Sequence, residues 1–376
     1  MGLCEASIKN IRKNKNKINS QKDTKILSNS HSYILSKNLS ESLFNSDNNQ
    51  LNLKKYNSAQ EKSIFKNEYI LPEKIAKRED ITKKYKLSNK ILGDGGTSIV
   101  YLAENFIKEK FAIKRIPKEK IEIQKKIILK EAEICLLLNN KNIIKYYEIY
   151  EDLNYVSVVM EPGETDLFEL IINSPLGYIP EENSIHFLIQ IFEVIDYLHN
   201  TVNIVHCDIK PENFVIKFDK EKGYLPTLKL IDFGNVRRKP MNKQRLFNFN
   251  GTKEYMAPEA MENCGFNEKV DEWAAGIIMF NMLTGADPFI SPNDDDSEYR
   301  DNIRFKEIKF GYIKNEKLRE LNKKLLNRYM AKRITAKEAL EELKEIRNDL
   351  IKTNKINENI NMKKYEKGIN YIFSEL

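Results

Sequence analysis

The chain contains 376 residues, of which 41% are apolar and 31% are charged, and its formal net charge is +7. This length has room for two or three domains. The four cysteines form no CxxC pair, which argues against a disulfide scaffold or a zinc ribbon and favours a reducing compartment. No apolar run approaches the roughly 20 residues that cross a bilayer, and the start lacks the apolar stretch of a secretory signal.

The first 80 residues form a basic, polar tail. They hold 15 basic and 9 acidic side chains, so six of the seven net positive charges lie there. Asn, Ser and Lys crowd this segment without a sustained apolar period, so we expect it to be mostly disordered, with one short helix near residues 73–80. The rest of the chain is close to neutral, which argues against a nucleic-acid partner.

The tail begins with a motif that resembles an acylation signal, Met1-Gly2-Leu3-Cys4. Gly2 is the expected site of myristoylation and Cys4 of palmitoylation, although Ala6 stands where the strict pattern has Ser or Thr. The alternative is an ordinary Met-Gly start. Because one myristoyl chain binds membranes reversibly, Cys4 or the basic residues of 9–25 would add the second attraction. We therefore expect a cytoplasmic protein that associates with the inner membrane surface through its lipidated N-terminus.

From residue 85 onward, short strands give way to helices. Five β-type runs predict strands at 86–92, 98–105, 110–116, 144–151 and 155–161, with one helical stretch at 121–138. Apolar spacing of three and four residues then predicts helices at 166–173, 181–200, 269–283, 317–328 and 335–348. The pattern changes near residues 160–164, which predicts a boundary between a small strand-rich lobe and a larger helical lobe.

Three features of the strand-rich part favour a site for nucleotide phosphates. The glycine-rich turn at 91–100 lets backbone amides approach phosphate oxygens, although such turns in hairpins are as often structural. Lys114 stands on a predicted strand, where an isolated lysine is by default only solvated. A pair between Lys114 and Glu131 of the predicted helix would aim the ammonium at phosphates. Glu133 is the alternative partner.

The strongest signal is the run His206-Cys207-Asp208-Ile209-Lys210-Pro211-Glu212-Asn213, followed by Asp232-Phe233-Gly234 after a strand predicted at 227–231. Two acidic residues and an asparagine supply a base and the hard oxygen ligands that Mg²⁺ prefers. In this order, these motifs resemble the signatures of the protein kinase family. Further segments that resemble the family are 251–259, 271–276, 283–289 and 333–340, so the resemblance covers about residues 85–341.

The resemblance implies a two-lobed α+β kinase fold, with an N-lobe at 85–160 and a C-lobe at 161–341. Residues 342–376 would form a C-terminal helical tail. It also implies an enzyme that uses ATP and Mg²⁺ to phosphorylate Ser or Thr of protein substrates, since the Lys210 motif is that of the serine/threonine branch. The glycine turn and residues 251–255 resemble the calcium/calmodulin-dependent group. The alternative is a catalytically silent pseudokinase scaffold.

The resemblance further implies roles for single residues. The nucleotide would be bound by Leu92, Gly93, Asp94, Gly95, Gly96, Val100, Ala112, Lys114, Met160, Glu161, Asp166 and Val215. Catalysis would use Asp208 as the base together with Lys210, Lys114 and Glu131, and Asn213 and Asp232 would hold Mg²⁺. The remaining implied roles are bracing of the helical lobe and of the catalytic loop, by Glu259, Arg333 and Asp271.

Two features bear on regulation and on substrate choice. Cys207 replaces the arginine that grips a phosphorylated activation segment in many relatives, and residues 235–251 contain no Ser, Thr or Tyr. We therefore expect activity that does not require phosphorylation in that segment. Asp166 and Glu212 stand where basophilic members bind arginine upstream of the acceptor, which predicts a preference for basic peptides. The alternative reading of these two acids is a solvated helix start and a hydrogen bond within the catalytic loop.

Overall fold

The computed structural model describes residues 76–95, 98–120, 131, 134–219, 225–241, 244–289 and 296–353. Within these residues, a small lobe built on one β-sheet lies against a larger, mainly helical lobe. The predicted two-lobed α+β architecture, with a β-rich N-lobe and a helical C-lobe, is therefore confirmed.

A six-stranded sheet with the order β1-β5-β6-β4-β3-β2 forms the N-lobe. Its strands are β1 (Ala76–Lys77), β2 (Tyr85–Gly95), β3 (Ser98–Asn105), β4 (Lys110–Pro117), β5 (Tyr146–Glu151) and β6 (Tyr155–Met160). In the central pair, Ala112 lies opposite Met160 and Ile113 lies opposite Val159. Because side chains alternate between the two faces of a sheet, these pairs belong to two separate hydrophobic clusters.

The inner face of the sheet packs on a helix that is described at residue 131 and at residues 134–137; we call it the Glu131 helix. Ile134 and Cys135 of this helix are buried in the main core. The remainder of the helix predicted at 121–138 lies outside the described residues. The Glu131 helix therefore places the carboxylate of Glu131 at the inner face of the sheet, next to the central strands.

The outer face of the sheet is covered by the segment that precedes β2. Ile81 is fully buried there, in a cluster that includes Tyr85 and Ile113. The short helix predicted near residues 73–80 is wrong where the structure describes it, because Ala76–Lys77 is a strand that pairs with β5 and Asp80 caps a 3₁₀ turn. This stretch forms a strand because β5 supplies backbone hydrogen bonds in a parallel pairing. Its local sequence gives no sign of that partner.

Glu148 on β5 fastens this segment to the sheet. Its carboxylate accepts hydrogen bonds from Lys77 Nζ at 2.7 Å, Lys84 Nζ at 2.8 Å, Tyr85 Oη at 2.9 Å and Tyr150 Oη at 2.9 Å. Burial alone would raise the pKa of Glu148, but these four donors outweigh it and lower the pKa to about 2. The carboxylate is therefore ionised at neutral pH, and it holds the segment by charge as well as by hydrogen bonds.

Helices make up most of the C-lobe. They are α1 (Leu167–Ile172), α2 (Glu181–Asp196), α3 (Pro258–Met261), α4 (Lys269–Thr284), α5 (Asp296–Phe305), α6 (Glu316–Leu325) and α7 (Ala336–Lys352). Helix α4 is buried along nearly its whole length and forms the centre of the lobe. It ends at Gly285, whose φ of 69° favours glycine. Helix α5 is not among the predicted helices, because its sequence is polar and, of the side chains whose burial is described, only Tyr299 and Ile303 are buried.

Two small sheets lie where the lobes meet. Their strands are β7 (Thr165–Asp166), β8 (Ile204–Val205), β9 (Phe214–Asp219), β10 (Leu225–Leu230) and β11 (Arg237–Arg238). Strand β9 pairs with β10 and β7, and β8 pairs with β11. The loop 206–213 therefore runs from β8 to β9, and the segment 231–236 runs from β10 to β11. This arrangement brings the two strongest sequence motifs side by side at the cleft.

Candidate active site

The loop at 206–213 is held from below by one buried carboxylate. Asp271 of α4 accepts hydrogen bonds from the backbone amides of His206 at 2.8 Å and Cys207 at 2.9 Å. Its Oδ2 also lies 2.8 Å from Nε2 of His199. Cys207 has a φ of 65°, an uncommon value for a residue with a side chain, so the loop needs such an external support. The backbone of the loop is thus fixed relative to the core of the C-lobe.

Asp208 of this loop is buried, and its carboxylate is engaged on several sides. Its Oδ1 accepts hydrogen bonds from the amide of Thr252 at 2.9 Å and the hydroxyl of Thr252 at 2.7 Å, and Lys210 Nζ lies 3.4 Å from Oδ2. Burial would raise the pKa of Asp208, but the Lys210 charge and the Thr252 hydrogen bonds outweigh it and hold the pKa below its usual range. The carboxylate is ionised at neutral pH and can accept a proton or a hydroxyl hydrogen bond.

The two predicted magnesium ligands are Asn213, at the end of the 206–213 loop, and Asp232, which follows β10. The backbone amide of Ile231, next to Asp232, donates to the carbonyl of Asn213 at 2.9 Å. Asn213 Nδ2 donates to the carbonyl of Asp208 at 2.8 Å. The amide oxygen of Asn213 is therefore the side-chain atom that can bind a metal ion. Asp232 has a φ of 66°, and one of its carboxylate oxygens accepts from Gly234 N at 3.3 Å. One amide oxygen and one carboxylate make a hard, oxygen-only donor set, which fits Mg²⁺ bound jointly with phosphate oxygens.

Across the cleft, Lys114 of β4 pairs with the Glu131 helix. Lys114 Nζ lies 3.3 Å from both carboxylate oxygens of Glu131, and Tyr146 Oη donates to Glu131 at 3.2 Å. Burial would lower the pKa of Lys114, but the charges of Glu131 and Asp232 raise it above its usual value. The lysine is therefore a fixed cation that faces the Asp232 carboxylate. Glu133, the alternative partner, lies outside the described residues.

The set of residues predicted to bind the nucleotide spans both lobes. Its N-lobe residues lie on neighbouring strands: Leu92, Gly93, Asp94 and Gly95 on β2, Val100 on β3, Ala112 on β4 and Met160 at the end of β6. Ala112 and Met160 are direct partners in the sheet, and Val215 of β9 approaches from the C-lobe. A Cβ on Gly163 would lie 1.7 Å from Cγ1 of Val215, so only glycine lets the connecting segment come this close. Gly96 lies outside the described residues.

The segment that connects the lobes is anchored by the side chain of Glu161. Its carboxylate lies 3.0 Å from Lys229 Nζ and 3.1 Å from Lys217 Nζ, and it accepts from the backbone amide of Lys145 at 3.0 Å. Burial would raise the pKa of Glu161, but the two lysines lower it. The side chain thus ties the connection to β9 and β10. Because the backbone amide of Glu161 donates to the carbonyl of Lys145 at 2.9 Å, its backbone carbonyl is the group left to face a nucleotide.

This geometry agrees with a comparison to known families. A family model described as "Protein kinase domain" matches residues 85–343. The chain belongs to the protein kinase family. Calcium-dependent protein kinase 4 of Plasmodium berghei is 32% identical over 296 residues, covering 74% of this chain and 53% of that protein. Calcium/calmodulin-dependent protein kinase type IV of Homo sapiens is 35% identical over 213 residues, covering 56% and 42%.

A third relative is serine/threonine-protein kinase DCLK3 of Mus musculus, which is 31% identical over 268 residues and of which the chain covers 33%. These relatives confirm the resemblance to the serine/threonine branch and to its calcium/calmodulin-dependent group. The chain spans about half or less of the length of the curated relatives it matches.

In the kinase C-lobe, Glu259 and Arg333 form a buried, two-pronged ion pair. Arg333 Nη1 lies 2.7 Å from one carboxylate oxygen of Glu259, and Nη2 lies 3.0 Å from the other. Arg333 Nη1 also donates to the carbonyl of Lys269 at 2.7 Å, at the start of α4. The pair therefore joins the end of the substrate-side loop to the helix that supports the catalytic loop.

Asp166 lies at the edge of the kinase cleft, where it pairs with Val215 in the short sheet. Its carboxylate accepts from the amide of Glu169 at 2.8 Å and so caps the N-terminus of α1. Helix α1 contacts the turn Pro211–Asn213, which carries the exposed Glu212. The two acids predicted to read substrate arginine thus lie on adjacent elements at one side of the cleft.

Two residues that contact the predicted site residues are not predicted from the sequence. Thr252 bonds to Asp208 and also accepts from Lys210 Nζ at 2.8 Å, and Tyr146 bonds to Glu131. Thr252 stands in a motif that resembles a substrate-side loop, so its position is a usable signal. In the sequence, Tyr146 appears only as one apolar residue of a predicted strand, and no local pattern predicts that its hydroxyl bonds to Glu131.

Gly2 and Cys4, the predicted acylation sites, lie outside the described residues. Among the residues that the structure describes, no helix has the length and apolar character needed to cross a bilayer.

Proposed function

We propose that this chain is an ATP-dependent protein kinase that phosphorylates serine and threonine. The observation that carries the proposal is the geometry around Asp208. An ionised carboxylate is oriented by Thr252 and Lys210, and it lies in the same cleft as the fixed Lys114 cation. Membership of the kinase family and relatives named as serine/threonine kinases support the same reaction.

In this mechanism Asp208 accepts the proton of the substrate hydroxyl as that oxygen bonds to the γ-phosphorus. The bond between the γ-phosphorus and the β,γ-bridging oxygen breaks, and ADP leaves. Lys114 binds the α- and β-phosphates in an orientation set by Glu131, and Lys210 neutralises charge on the migrating phosphoryl group. Asn213 and Asp232 would hold Mg²⁺, which when bound neutralises phosphate charge. The residues therefore act by positioning and by charge, which is what phosphoryl transfer requires.

The decisive test is phosphate transfer from Mg·ATP to a basic Ser/Thr peptide, with the Asp208→Asn variant as the control and ATP binding measured in parallel. Transfer that disappears in Asp208→Asn while ATP still binds supports the kinase. ATP binding without transfer by the wild type supports the pseudokinase scaffold instead.

The proposed substrate preference is for peptides with arginine upstream of the acceptor, read by Asp166 and Glu212. It is supported by the position of both acids at one side of the cleft. A matched pair of peptides that differ only in one upstream arginine or glutamine tests it. Glu212→Gln should reduce kcat/KM for the arginine peptide and leave the glutamine peptide unchanged. Equal losses on both peptides would contradict the preference.

We further propose that activity does not depend on a phosphate in the activation segment. The absence of Ser, Thr and Tyr from residues 235–251 supports this, as does the substitution of Cys207 for the phosphate-gripping arginine. Protein treated with a phosphatase should keep its activity. A necessary phosphate found by mass spectrometry on Thr252 or Tyr255 of active protein would overturn this proposal.

Attachment to the inner membrane surface through acylated Gly2 and Cys4 is the last part of the proposal. The motif Met1-Gly2-Leu3-Cys4 and the basic residues that follow support it. Metabolic labelling with myristate should mark the wild type and not Gly2→Ala. No incorporation into the wild type, or equal incorporation into both, would contradict it.

A further inference from the structure

The activation segment runs from Asp232 to Ala257, and residues 235–251 within it offer no hydroxyl for a phosphate. The structure describes this segment at residues 232–241 and 244–257. Its final part bears on the site directly, because Thr252 bonds to Asp208. Whatever holds residues 246–251 in place therefore also fixes the surface on which a substrate hydroxyl would lie.

The first anchor of this segment is the guanidinium of Arg237. Arg237 Nη2 donates to the carbonyl of Phe247 at 2.9 Å and lies 3.4 Å from the carbonyl of Asn248. The backbone of Arg237 is itself fixed, because it pairs with Val205 of β8 directly before the catalytic loop. The guanidinium of Arg237 thus links the start of the segment to residues 247 and 248, and the groups that it contacts there are uncharged carbonyl oxygens.

The second anchor is the ring of Phe249. It packs edge-on against Phe266 with ring centroids 5.2 Å apart, and it lines a space of only about 10 Å³ next to Cys207. That volume is at or below what one water needs. A Cβ on Gly251 would lie 2.3 Å from the carbonyl of Cys207 and 2.5 Å from the Phe249 ring, so the segment and the catalytic loop are in close contact here.

Two further contacts hold residues 246–248 of the segment. Leu246 and Phe266 exchange two backbone hydrogen bonds at 2.8 Å, and the amide of Asn248 donates to Oδ1 of Asn263 at 3.0 Å. All of these partners are uncharged. Among the contacts described for residues 247 and 248, the hydrogen bonds from Arg237 are therefore the ones made by a charged group.

We propose that Arg237 is a positioning residue for phosphoryl transfer. Its guanidinium, together with the Phe249 ring, holds the activation segment in the substrate-binding conformation without a phosphate, and thereby keeps Thr252 on Asp208. The inference rests on the proposed kinase function and deepens its regulation. It differs from a general stabilising role because loss of Arg237 should affect the peptide site and spare the nucleotide site.

The experiment compares Arg237→Ala, Arg237→Lys and the wild type after phosphatase treatment. Arg238→Ala, at the adjacent arginine of the same strand, is the matched control. Because hydrogen bonds to a charged group are lost, kcat/KM for the peptide should fall by at least about tenfold in Arg237→Ala. KM for ATP should stay within about twofold, and Arg237→Lys should recover part of the loss because it keeps one cationic donor. Arg238→Ala should behave like the wild type.

A second measurement does not depend on catalysis. Amide hydrogen exchange in residues 246–252 should be faster in Arg237→Ala than in the wild type, and it should be unchanged in Arg238→Ala. Unchanged amide exchange in Arg237→Ala overturns the inference about Arg237, whether or not the wild type transfers phosphate. Absence of phosphate transfer by the wild type counts separately, against the proposed kinase function. Wild-type kinetics in Arg237→Ala, or parallel losses of ATP binding and thermal stability, overturn it as well.

Discussion

The hydroxyl of Tyr146 donates a hydrogen bond to Oε1 of Glu131 across 3.2 Å, in a place where Tyr146 is almost completely buried. Within the described part of the chain, Glu131 thus bonds to the Lys114 ammonium from the cleft side and to a phenol from strand β5. The phenol restricts the carboxylate to one orientation. Replacing Tyr146 therefore tests how far the Lys114–Glu131 pair depends on the hydrogen bond from the Tyr146 hydroxyl.

Tyr146→Phe removes that hydrogen bond and preserves the ring. We expect KM for ATP to rise roughly threefold to tenfold, because a hydrogen bond to a charged group is lost while the packing stays. Steady-state kinetics with varied ATP measures the change. Tyr150→Phe is the control, since Tyr150 lies on the same strand and bonds to Glu148 on the outer face. Equal ATP kinetics in the two variants would show that the Glu131 orientation does not depend on Tyr146.

Gly163→Ala should weaken nucleotide binding by crowding Val215. The new methyl would lie 1.7 Å from Cγ1 of Val215, so Val215 or the connection between the lobes must move. Such overpacking costs about 1–3 kcal/mol of folded-state stability. We expect about 1 kcal/mol of this cost to fall on ATP binding, because Val215 is a predicted nucleotide contact, which corresponds to about fivefold weaker affinity. Titration with a fluorescent ATP analogue measures it. Gly311→Ala is the control, because a methyl added at Gly311 would meet no other atom within 4 Å. Equal ATP affinity in the two variants would contradict the prediction.

The buried pair of Arg333 and Glu259 gives a stability prediction. Arg333→Met leaves the Glu259 carboxylate without its partner, and removing one member of a buried pair costs about 3–5 kcal/mol of unfolding free energy. Urea unfolding followed by circular dichroism measures this loss. Lys323→Ala breaks the exposed pair with Glu320 and should leave the unfolding midpoint unchanged. Similar midpoints for both variants would contradict the structural role of the buried pair.

A fourth prediction concerns pH and His199, which is buried between Asp271 and Glu272. Burial lowers the pKa of His199, but the two carboxylates outweigh it and raise the pKa from 6.5 to about 10. Because the folded pKa lies above the unfolded one, protonated His199 stabilises the fold fully below pH 6.5. This contribution is lost as the pH rises from 6.5 towards 10.

Urea midpoints measured from about pH 6 to about pH 10 for the wild type and His199→Gln test this prediction. The variant should be less stable than the wild type at the acidic end, and the difference should shrink towards the alkaline end. A constant difference across the range would mean that His199 is neutral in the folded protein.

Much of the fold could be predicted from the sequence, because the strands and the long helices carry strong periodic patterns. The strand at Ser98–Asn105 has the bounds that its pattern predicted, and α4 extends one residue beyond its predicted end. What could not be predicted depends on partners distant in the chain. Strand β1 needs β5, and α5 buries two side chains against a lobe that no local pattern indicates.

The same distinction applies to the site. Asp208, Asn213 and Asp232 stand in motifs whose order is recognisable, so they could be selected as candidates from the sequence alone. Tyr146 acts through a contact with a residue 15 positions away, and Arg237 through contacts with residues 10 and 11 positions away. An isolated tyrosine or arginine carries no signal of such a contact, since many other positions in the chain have the same residue type and no such role.

The segment that Glu148 fastens to the N-lobe affects how this chain can be shortened. The family match begins at residue 85, but Ile81 is fully buried and Ala76–Lys77 covers the edge of β5. A gene cut at residue 85 would leave apolar side chains of the outer sheet face in water and the β5 edge open to other chains, a known route to aggregation. A soluble catalytic fragment should therefore start at or before residue 76.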